Sequence, residues 1–173
     1  HGVAAEFPAI GVHVRSAFDF AACVLGAWEA RFAPVLLDPA SRSEIDTLFE
    51  ELPGIRLLAP PELCPPPRGL PLPAPGNDAV LRAPLLGEPM VTFFTSGSEG
   101  RPKLVPKIGR QVYGHVAAAS SMLNVPESCR VLSFVPLFHI LGFAYGFMVP
   151  LRAGGQTFVL TGQSPAAMRQ ALL

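Results

Sequence analysis

The chain has 173 residues, the length of one ordinary domain, and thirteen Lys plus Arg balance thirteen Asp plus Glu. This balance lacks the basic excess that attracts phosphate backbones, so it argues against nucleic acid as a partner. Charged residues make up 15% of the chain, against roughly 25% in typical soluble domains, while apolar residues reach 50%. So few charges are unusual for a free-standing protein of this size. We therefore expect a piece of a larger protein, and the chain also begins at His1 and ends within a predicted helix at 164–173.

Strands and helices are predicted to alternate through the first sixty residues. An apolar run at 10–14 predicts a short strand, and Ser16 is placed to cap the apolar helical pattern that leads to Trp28. The next predicted elements are a strand at 34–37, a helix at 41–51 capped by Ser41 or Ser43, and a strand at 55–59.

A proline-rich stretch interrupts this alternation. Residues 60–75 hold eight prolines in sixteen positions, which removes amide donors and disfavours both helix and interior strand. The stretch predicts a surface connection, and a ligand for an SH3-type domain is the alternative.

The alternation then resumes. A β-branched and aromatic run at 91–94 predicts a buried strand, and a hydroxyl- and glycine-rich loop follows it directly. The later predicted elements are a helix at 110–123, a strand at 130–135, a helix at 139–151 and a strand at 156–160. The pattern favours an α/β fold, with a mainly parallel sheet flanked by helices and ligands bound beyond the carboxyl ends of its strands.

The uncharged run at 134–151 approaches the roughly 17 to 25 residues of a membrane span. Its prolines, its glycines and His139 favour a buried helix instead, so no membrane span is predicted. A membrane-inserted segment is the alternative.

The three cysteines, Cys23, Cys64 and Cys129, form no C-x-x-C pair, so neither a metal site nor a redox site is predicted. No basic segment near the N-terminus leads into an apolar one, so no secretory signal is predicted. We expect reduced thiols in a cytoplasmic protein, with Cys23 in the core.

The loop at 95–103 reads TSGSEGRPK. Hydroxyl groups and glycine amides are small donors that can close around phosphate oxygens, and a lysine adds positive charge. We interpret the loop as a polyphosphate cradle, and the alternative is an ordinary polar turn. A Walker loop does not explain it, because Pro102 stands where the second glycine would be needed. A nucleophile elbow fails as well, because Ser96 stands two positions before Ser98, where a glycine is required.

This loop resembles the signature of the adenylate-forming superfamily, which includes acyl-CoA synthetases, aryl-CoA ligases, luciferases and peptide adenylation domains. The signature reads approximately Y/F-T-S-G-S/T-T-G-x-P-K, and 94–103 matches each fixed position except Glu99, where threonine is usual. Three further segments resemble the family: AWEARFAPVLLDP, VPLFHILGF and LRAGGQTFVL. The resemblance covers nearly the whole chain and implies that 1–173 is a partial AMP-binding domain, part of the large N-terminal domain, with the C-terminal domain absent.

The resemblance implies a two-step ligase. A carboxylate attacks the α-phosphate of ATP, forming an acyl adenylate and pyrophosphate, and the thiol of CoA or of an acyl carrier protein then takes the acyl group. ATP is the implied cofactor, together with Mg²⁺ held by the absent portion, and a role in fatty acid metabolism is expected. The implied residues for binding the β- and γ-phosphates are Thr95, Ser96, Gly97, Ser98, Gly100 and Lys103.

Two residues depart from the family pattern. Glu99 carries a carboxylate that would oppose phosphate binding, so we expect it to point away, and Leu104 replaces the glycine that commonly follows the lysine. Glutamate at this position is similar to that of acyl-acyl-carrier-protein synthetases. The alternative is a degenerate, non-catalytic nucleotide-binding or assembly module. Because the later family motifs are absent, we expect the isolated chain to be inactive.

His139 lies between Phe138 and Ile140 at the start of a predicted apolar helix. Without the resemblance, such a histidine is a packed core residue. The resemblance implies instead that His139 is a catalytic-site residue near the reacting carboxylate, where it positions the acid.

Overall fold

The computed structural model describes residues 8–59, 83–96, 101–160 and 169. The predicted connection at 60–75, the loop residues 97–100 and most of the predicted C-terminal helix lie outside these described residues. The chain divides into two compact units, His1–Gly109 and Arg110–Leu173.

The first unit contains a sheet whose described strands lie in the order β3-β1-β2-β4-β5. In chain order, the elements are β1 Ala9–Val12, α1 Ala17–Glu29, β2 Ala33–Leu36, α2 Arg42–Glu51, β3 Arg56–Leu58, β4 Pro89–Ser96 and β5 Pro102–Ile108. Strand β1 pairs in parallel with β2 and β3, and β2 pairs in parallel with β4. The predicted α/β fold with a mainly parallel sheet flanked by helices is confirmed.

Both helices of this unit begin at the predicted serine caps. The Ser16 hydroxyl accepts a hydrogen bond from the Asp19 amide at 3.3 Å, and the Ser41 hydroxyl accepts one from the Glu44 amide at 3.3 Å. These bonds satisfy amides in the first turn that have no partner within the helix. Ser41, rather than Ser43, is therefore the cap of α2.

Helix α2 covers one face of the sheet. Val35, Leu37 and Leu48 form a buried cluster there, and Phe94 of β4 and Leu104 of β5 pack against it. Full burial of such a side chain stabilises a fold by about 1.5–3 kcal/mol. This packing determines which face of the β4–β5 hairpin is turned toward α2.

Strand β5 pairs with β4 in the antiparallel direction, and no strand was expected at this position. The expectation of a loop over the whole of 95–103 is wrong at both ends, because β4 extends to Ser96 and β5 begins at Pro102. Prolines at 102 and 106 conceal the strand in the sequence. They are tolerated because proline is acceptable at the first residue of a strand and on the edge of a sheet.

The second unit contains a parallel strand pair, β6 Arg130–Ser133 and β7 Gln156–Val159. Helix α3, Gly109–Met122, precedes the pair, and helical segments connect its two strands. The predicted helix at 139–151 is in fact a π-helix, Gly142–Met148, followed by α4, Val149–Arg152.

Pro150 and Thr157 account for the hydrogen bonding at Gly146, within the π-helix. In a regular α-helix the residue at 150 would donate to the carbonyl of Gly146, but proline has no amide hydrogen and its ring clashes with that carbonyl. The Val149 amide donates instead to the carbonyl of Ala144, five residues back. The hydroxyl of Thr157 on β7 then donates to the freed Gly146 carbonyl at 2.7 Å. The wider turn therefore leaves no unsatisfied carbonyl at Gly146.

The described part of the chain bears on two sequence expectations, which concern a membrane-spanning helix and the burial of Cys23. It contains no helix with the length and apolar character needed to cross a membrane. Cys129 is buried, but Cys23 is only partly buried and is not the core residue that was expected. Burial, and then the charge of Asp19, raise the pKa of the Cys23 thiol, so it is a poor nucleophile.

Candidate functional site

The candidate phosphate loop joins two strands of a hairpin. Thr95 pairs with Lys103, and Ser96 pairs with Pro102, so only residues 97–101 connect the strands. The sheet therefore fixes the backbone at both ends of the loop. Of the six predicted phosphate-binding residues, Gly97, Ser98 and Gly100 lie outside the described residues, and Thr95, Ser96 and Lys103 lie at the strand ends.

Thr95 and Lys103 lie side by side on one face of this hairpin. Directly opposed residues of antiparallel strands share a face, with Cβ atoms about 4.5–5.5 Å apart. Their neighbours Phe94 and Leu104 pack against the α2 cluster, so Thr95 and Lys103 lie on the opposite face. Both are exposed. A hydroxyl donor thus stands beside an ammonium group, an arrangement suited to an anion.

Arg101 is a third polar residue at this loop, and the sequence interpretation did not single it out. Its guanidinium lies 3.7 Å from the Glu50 carboxylate of α2, and both side chains are largely exposed. This contact places Arg101 toward the α2 side of the hairpin. The cation closest to Thr95 in the strand register is therefore Lys103.

The start of β4 is held in place by two residues from the end of α1 and the turn after it. The Trp28 indole donates to the Met90 carbonyl at 2.8 Å, and Arg31 donates both to Glu88 Oε1 at 2.5 Å and to Glu88 Oε2 at 3.2 Å. Glu88 also accepts from the Leu85 amide at 2.8 Å. The Leu85 amide, and then the Arg31 side chain, lower the pKa of the Glu88 carboxyl.

His139 lies in the second unit, after β6, and is exposed. Its Nδ1 accepts a hydrogen bond from the Leu141 amide at 3.3 Å. Because a backbone amide only donates, Nδ1 is the acceptor nitrogen of this ring. The ring therefore presents an N–H donor at Nε2.

The main chain also holds His139. Its amide donates to the Pro136 carbonyl at 3.0 Å, and its carbonyl accepts from the Phe143 amide at 2.8 Å. The side chains of Ile140 and Leu141 beside it are 45% and 50% exposed. His139 is thus a polar group among exposed apolar side chains and is not the packed core residue of the alternative interpretation.

The described residues contain no group of three His, Cys, Asp or Glu side chains placed to hold a metal ion.

Solved structures of known enzymes share this fold. The N-terminal domain of FACL13 from Mycobacterium tuberculosis, solved with an inhibitor, aligns with a TM-score of 0.77 and 14% identity, over 99% of this chain and 48% of that chain. o-Succinylbenzoate CoA synthetase from Bacillus subtilis, solved with ATP and a magnesium ion, aligns with a TM-score of 0.69 and 16% identity, over 95% and 47% of the two chains. These likenesses show that the chain has the fold of the N-terminal domain of adenylate-forming enzymes.

A third structure is more similar in sequence. Malonyl-CoA ligase, solved as a ternary product complex with methylmalonyl-CoA and AMP, aligns with a TM-score of 0.72 and 25% identity, over 94% of this chain and 37% of that chain. The present chain thus spans less than half the length of each of the three structures.

A family comparison covers both the TSGSEGRPK loop and His139. The model of the AMP-binding enzyme family matches residues 62–173, most of the chain. With a shared N-terminal-domain fold and a family match over this length, the chain belongs to the AMP-binding enzyme family.

Proposed function

We propose that this chain is the phosphate-binding part of an ATP-dependent ligase that activates a carboxylic acid as its acyl adenylate. A carboxylate oxygen attacks the α-phosphorus of ATP, and the bond from that phosphorus to the departing pyrophosphate breaks. The observation that carries the proposal is the hairpin loop TSGSEGRPK, with Thr95 and Lys103 exposed side by side at its base, in a member of the AMP-binding family.

The donors of this loop suit the polyphosphate of ATP. Hydroxyls and glycine amides approach phosphate oxygens closely, and Lys103 adds a full positive charge. The residues proposed to hold the β- and γ-phosphates are Thr95, Ser96, Gly97, Ser98, Gly100 and Lys103. Donors fixed around pyrophosphate neutralise the charge that builds as the bond breaks, and such preorganised electrostatics usually dominate catalysis.

Magnesium is proposed to bind with ATP and to neutralise phosphate charge. As the family resemblance implies, its protein ligand is proposed to lie outside residues 1–173. The domain assignment follows the same proposal: 1–173 is a partial AMP-binding domain, 60–75 is a surface connection and 95–103 is the phosphate-binding loop.

His139 is proposed to position the acid. The Leu141 amide on Nδ1 leaves Nε2–H as the donor of the neutral ring, and an N–H donor is the partner that a carboxylate accepts from. The exposed Ile140 and Leu141 beside it suit an acid with an apolar acyl group. In the second step, the thiol sulfur of CoA or of an acyl carrier protein is proposed to attack the acyl carbonyl, lose its proton and release AMP.

The test is ATP–pyrophosphate exchange in the full-length protein, assayed with fatty, aryl and amino acids. Replacing both Ser96 and Ser98 with alanine should lower exchange at least about tenfold, since loss of one such donor typically costs about 10²- to 10³-fold. Ser121→Ala, on the exposed surface of α3, is the matched control and should leave exchange unchanged. Unchanged exchange in the double variant would remove the phosphate assignment.

Glu99, which stands in place of the usual threonine, supports a second candidate function. A carboxylate within a phosphate loop weakens anion binding, as expected for a non-catalytic nucleotide-binding or assembly module. That candidate predicts no exchange with any acid, and restoring threonine at this position would then strengthen ATP binding.

A further inference from the structure

Gly142 lies where two backbone segments of the second unit meet. A Cβ atom placed on Gly142 would overlap the Pro136 carbonyl oxygen, and it would lie 2.6 Å from the Pro136 carbonyl carbon and 2.8 Å from the Val135 oxygen. All three are main-chain atoms, so no side-chain rotation relieves the overlap. Any residue other than glycine at 142 must therefore displace the backbone at 135–136.

The backbone that would be displaced is hydrogen-bonded to His139. The Pro136 oxygen accepts from the His139 amide at 3.0 Å, and this is the same oxygen that approaches Gly142. Next to it, the Leu141 amide donates to the His139 ring at 3.3 Å, and the Phe143 amide donates to the His139 carbonyl at 2.8 Å. Gly142 thus lies between the two amides that hold the histidine.

We propose that Gly142 is a positioning residue for His139, an inference that rests on the proposed function. Because Gly142 lacks a Cβ, the carbonyl of Pro136 closes against the start of the helix. That contact holds the imidazole in one place, with Nδ1 on the Leu141 amide and the N–H donor on Nε2, where it receives the carboxylate of the acid. Gly142 itself touches no substrate in this proposal and acts only through His139.

Other glycines of the same unit provide matched controls. A Cβ on Gly146, within the same π-helix, would meet side chains: the Ser133 hydroxyl at 2.7 Å and the Leu137 methyl at 3.1 Å. A Cβ on Gly114, in α3, would meet nothing within 4 Å. Gly114→Ala therefore tests the substitution without any overlap. Gly146→Ala is a weaker control, because the Ser133 hydroxyl that it would displace donates to the Val135 carbonyl at 2.9 Å.

The first experiment measures exchange kinetics in the full-length protein. Gly142→Ala should lower kcat/KM for the acid about 10- to 100-fold, because a displacement of about 1 Å in a positioning element costs up to about 10²-fold. The KM for ATP should change less than about twofold. Gly114→Ala should keep kcat/KM for the acid near the wild-type value. An unchanged kcat/KM in Gly142→Ala, or an equal loss in Gly114→Ala, would overturn the proposal.

A double-variant cycle tests whether Gly142 acts through His139. If it does, Gly142→Ala combined with His139→Ala should lower kcat/KM no further than His139→Ala alone. Multiplicative losses would show an independent role for Gly142 and overturn the proposal.

A spectroscopic measurement separates this inference from the proposed function. Long-range ¹H–¹⁵N spectra of the histidine ring report its tautomer without any turnover, and wild type should show His139 protonated on Nε2. Gly142→Ala should shift the ring nitrogens of His139, and Gly114→Ala should not. If wild type catalyses no exchange, the proposed function fails, but these spectra still decide the positioning role. Unchanged His139 resonances in Gly142→Ala would overturn it.

If Gly142→Ala does not fold, as judged by circular dichroism, Leu141→Pro replaces it in the test. Proline is tolerated in the first turn of a helix and removes the amide that donates to His139 Nδ1, together with the Leu141 side chain. The readout is therefore the ring tautomer alone, and the expected result is a mixture of ring tautomers. Retention of the wild-type tautomer would contradict the proposal.

Discussion

At its start, strand β4 is held by the Trp28 indole on the Met90 carbonyl at 2.8 Å and by the Arg31–Glu88 ion pair immediately before the strand. At its other end the same strand presents Thr95, exposed, beside Lys103 across the hairpin. The difference shows how stability and binding are divided along one element. A buried hydrogen bond fixes the beginning of the strand, whereas the side chains of Thr95 and Lys103 at the hairpin end are exposed.

The largest expected effect on stability comes from the start of β4, where the Trp28 indole is buried. Trp28 is only 2% exposed, so Trp28→Ala should lower the free energy of unfolding by about 3–5 kcal/mol, the usual cost of removing a buried aromatic side chain. Urea unfolding of the chain measures it. Trp28→Phe keeps most of the apolar volume and should cost less, since it removes mainly the hydrogen bond to Met90. A loss below about 1 kcal/mol for Trp28→Ala would contradict the comparison.

The hairpin end of β4, with Thr95 and Lys103, should show a large loss of activity and little loss of stability. Lys103→Met should lower ATP–pyrophosphate exchange about 10²- to 10³-fold, because it removes the cation proposed to stabilise pyrophosphate. The free energy of unfolding should change by less than about 0.5 kcal/mol, because the side chain is exposed. Lys107→Met is the matched control on the same strand and should keep exchange near wild type. A large loss of stability in Lys103→Met would contradict the view that the hairpin end of β4 contributes to binding rather than to stability.

The smallest effects concern the two ion pairs. Glu88→Gln should lower the free energy of unfolding by less than about 1 kcal/mol, and Glu50→Gln by less than that, because the Arg101–Glu50 pair is longer and more exposed. The pKa of Glu88 is lowered by folding, so its contribution is present above its ordinary value of 4.5 and is lost as the pH falls through the lower folded value. Thermal unfolding between pH 7 and pH 3 measures this. A wild-type advantage over Glu88→Gln that persists at pH 3 would refute this assignment.

Much of the fold is predictable from local signals in the sequence. The caps at Ser16 and Ser41 and the alternation of strand and helix depend on neighbouring residues, so short windows are enough to identify them. Strand β5 depends on pairing with β4, and its two prolines hide that pairing. The ion pair between Arg31 and Glu88 joins positions 57 residues apart, and no local pattern indicates it.

The candidate site was predictable in part. The loop composition and its resemblance to a family signature indicate which residues are candidates for phosphate binding, but not that the loop closes a hairpin with Thr95 opposite Lys103. The hydrogen bond from Thr157 to the Gly146 carbonyl in the π-helix joins positions eleven residues apart, which a periodic pattern does not reveal. The close approach of Gly142 to Pro136 is likewise a property of the folded backbone.

The two prolines of β5 have a further consequence for the sheet. Among the described strands, β5 lies at the outer margin, where unpaired amides would offer a template to another chain. Pro102 and Pro106 have no amide hydrogen, so two of the seven residues of the strand are unable to donate to a new ladder. The loss of these donors makes the addition of a strand from another chain less favourable at this margin.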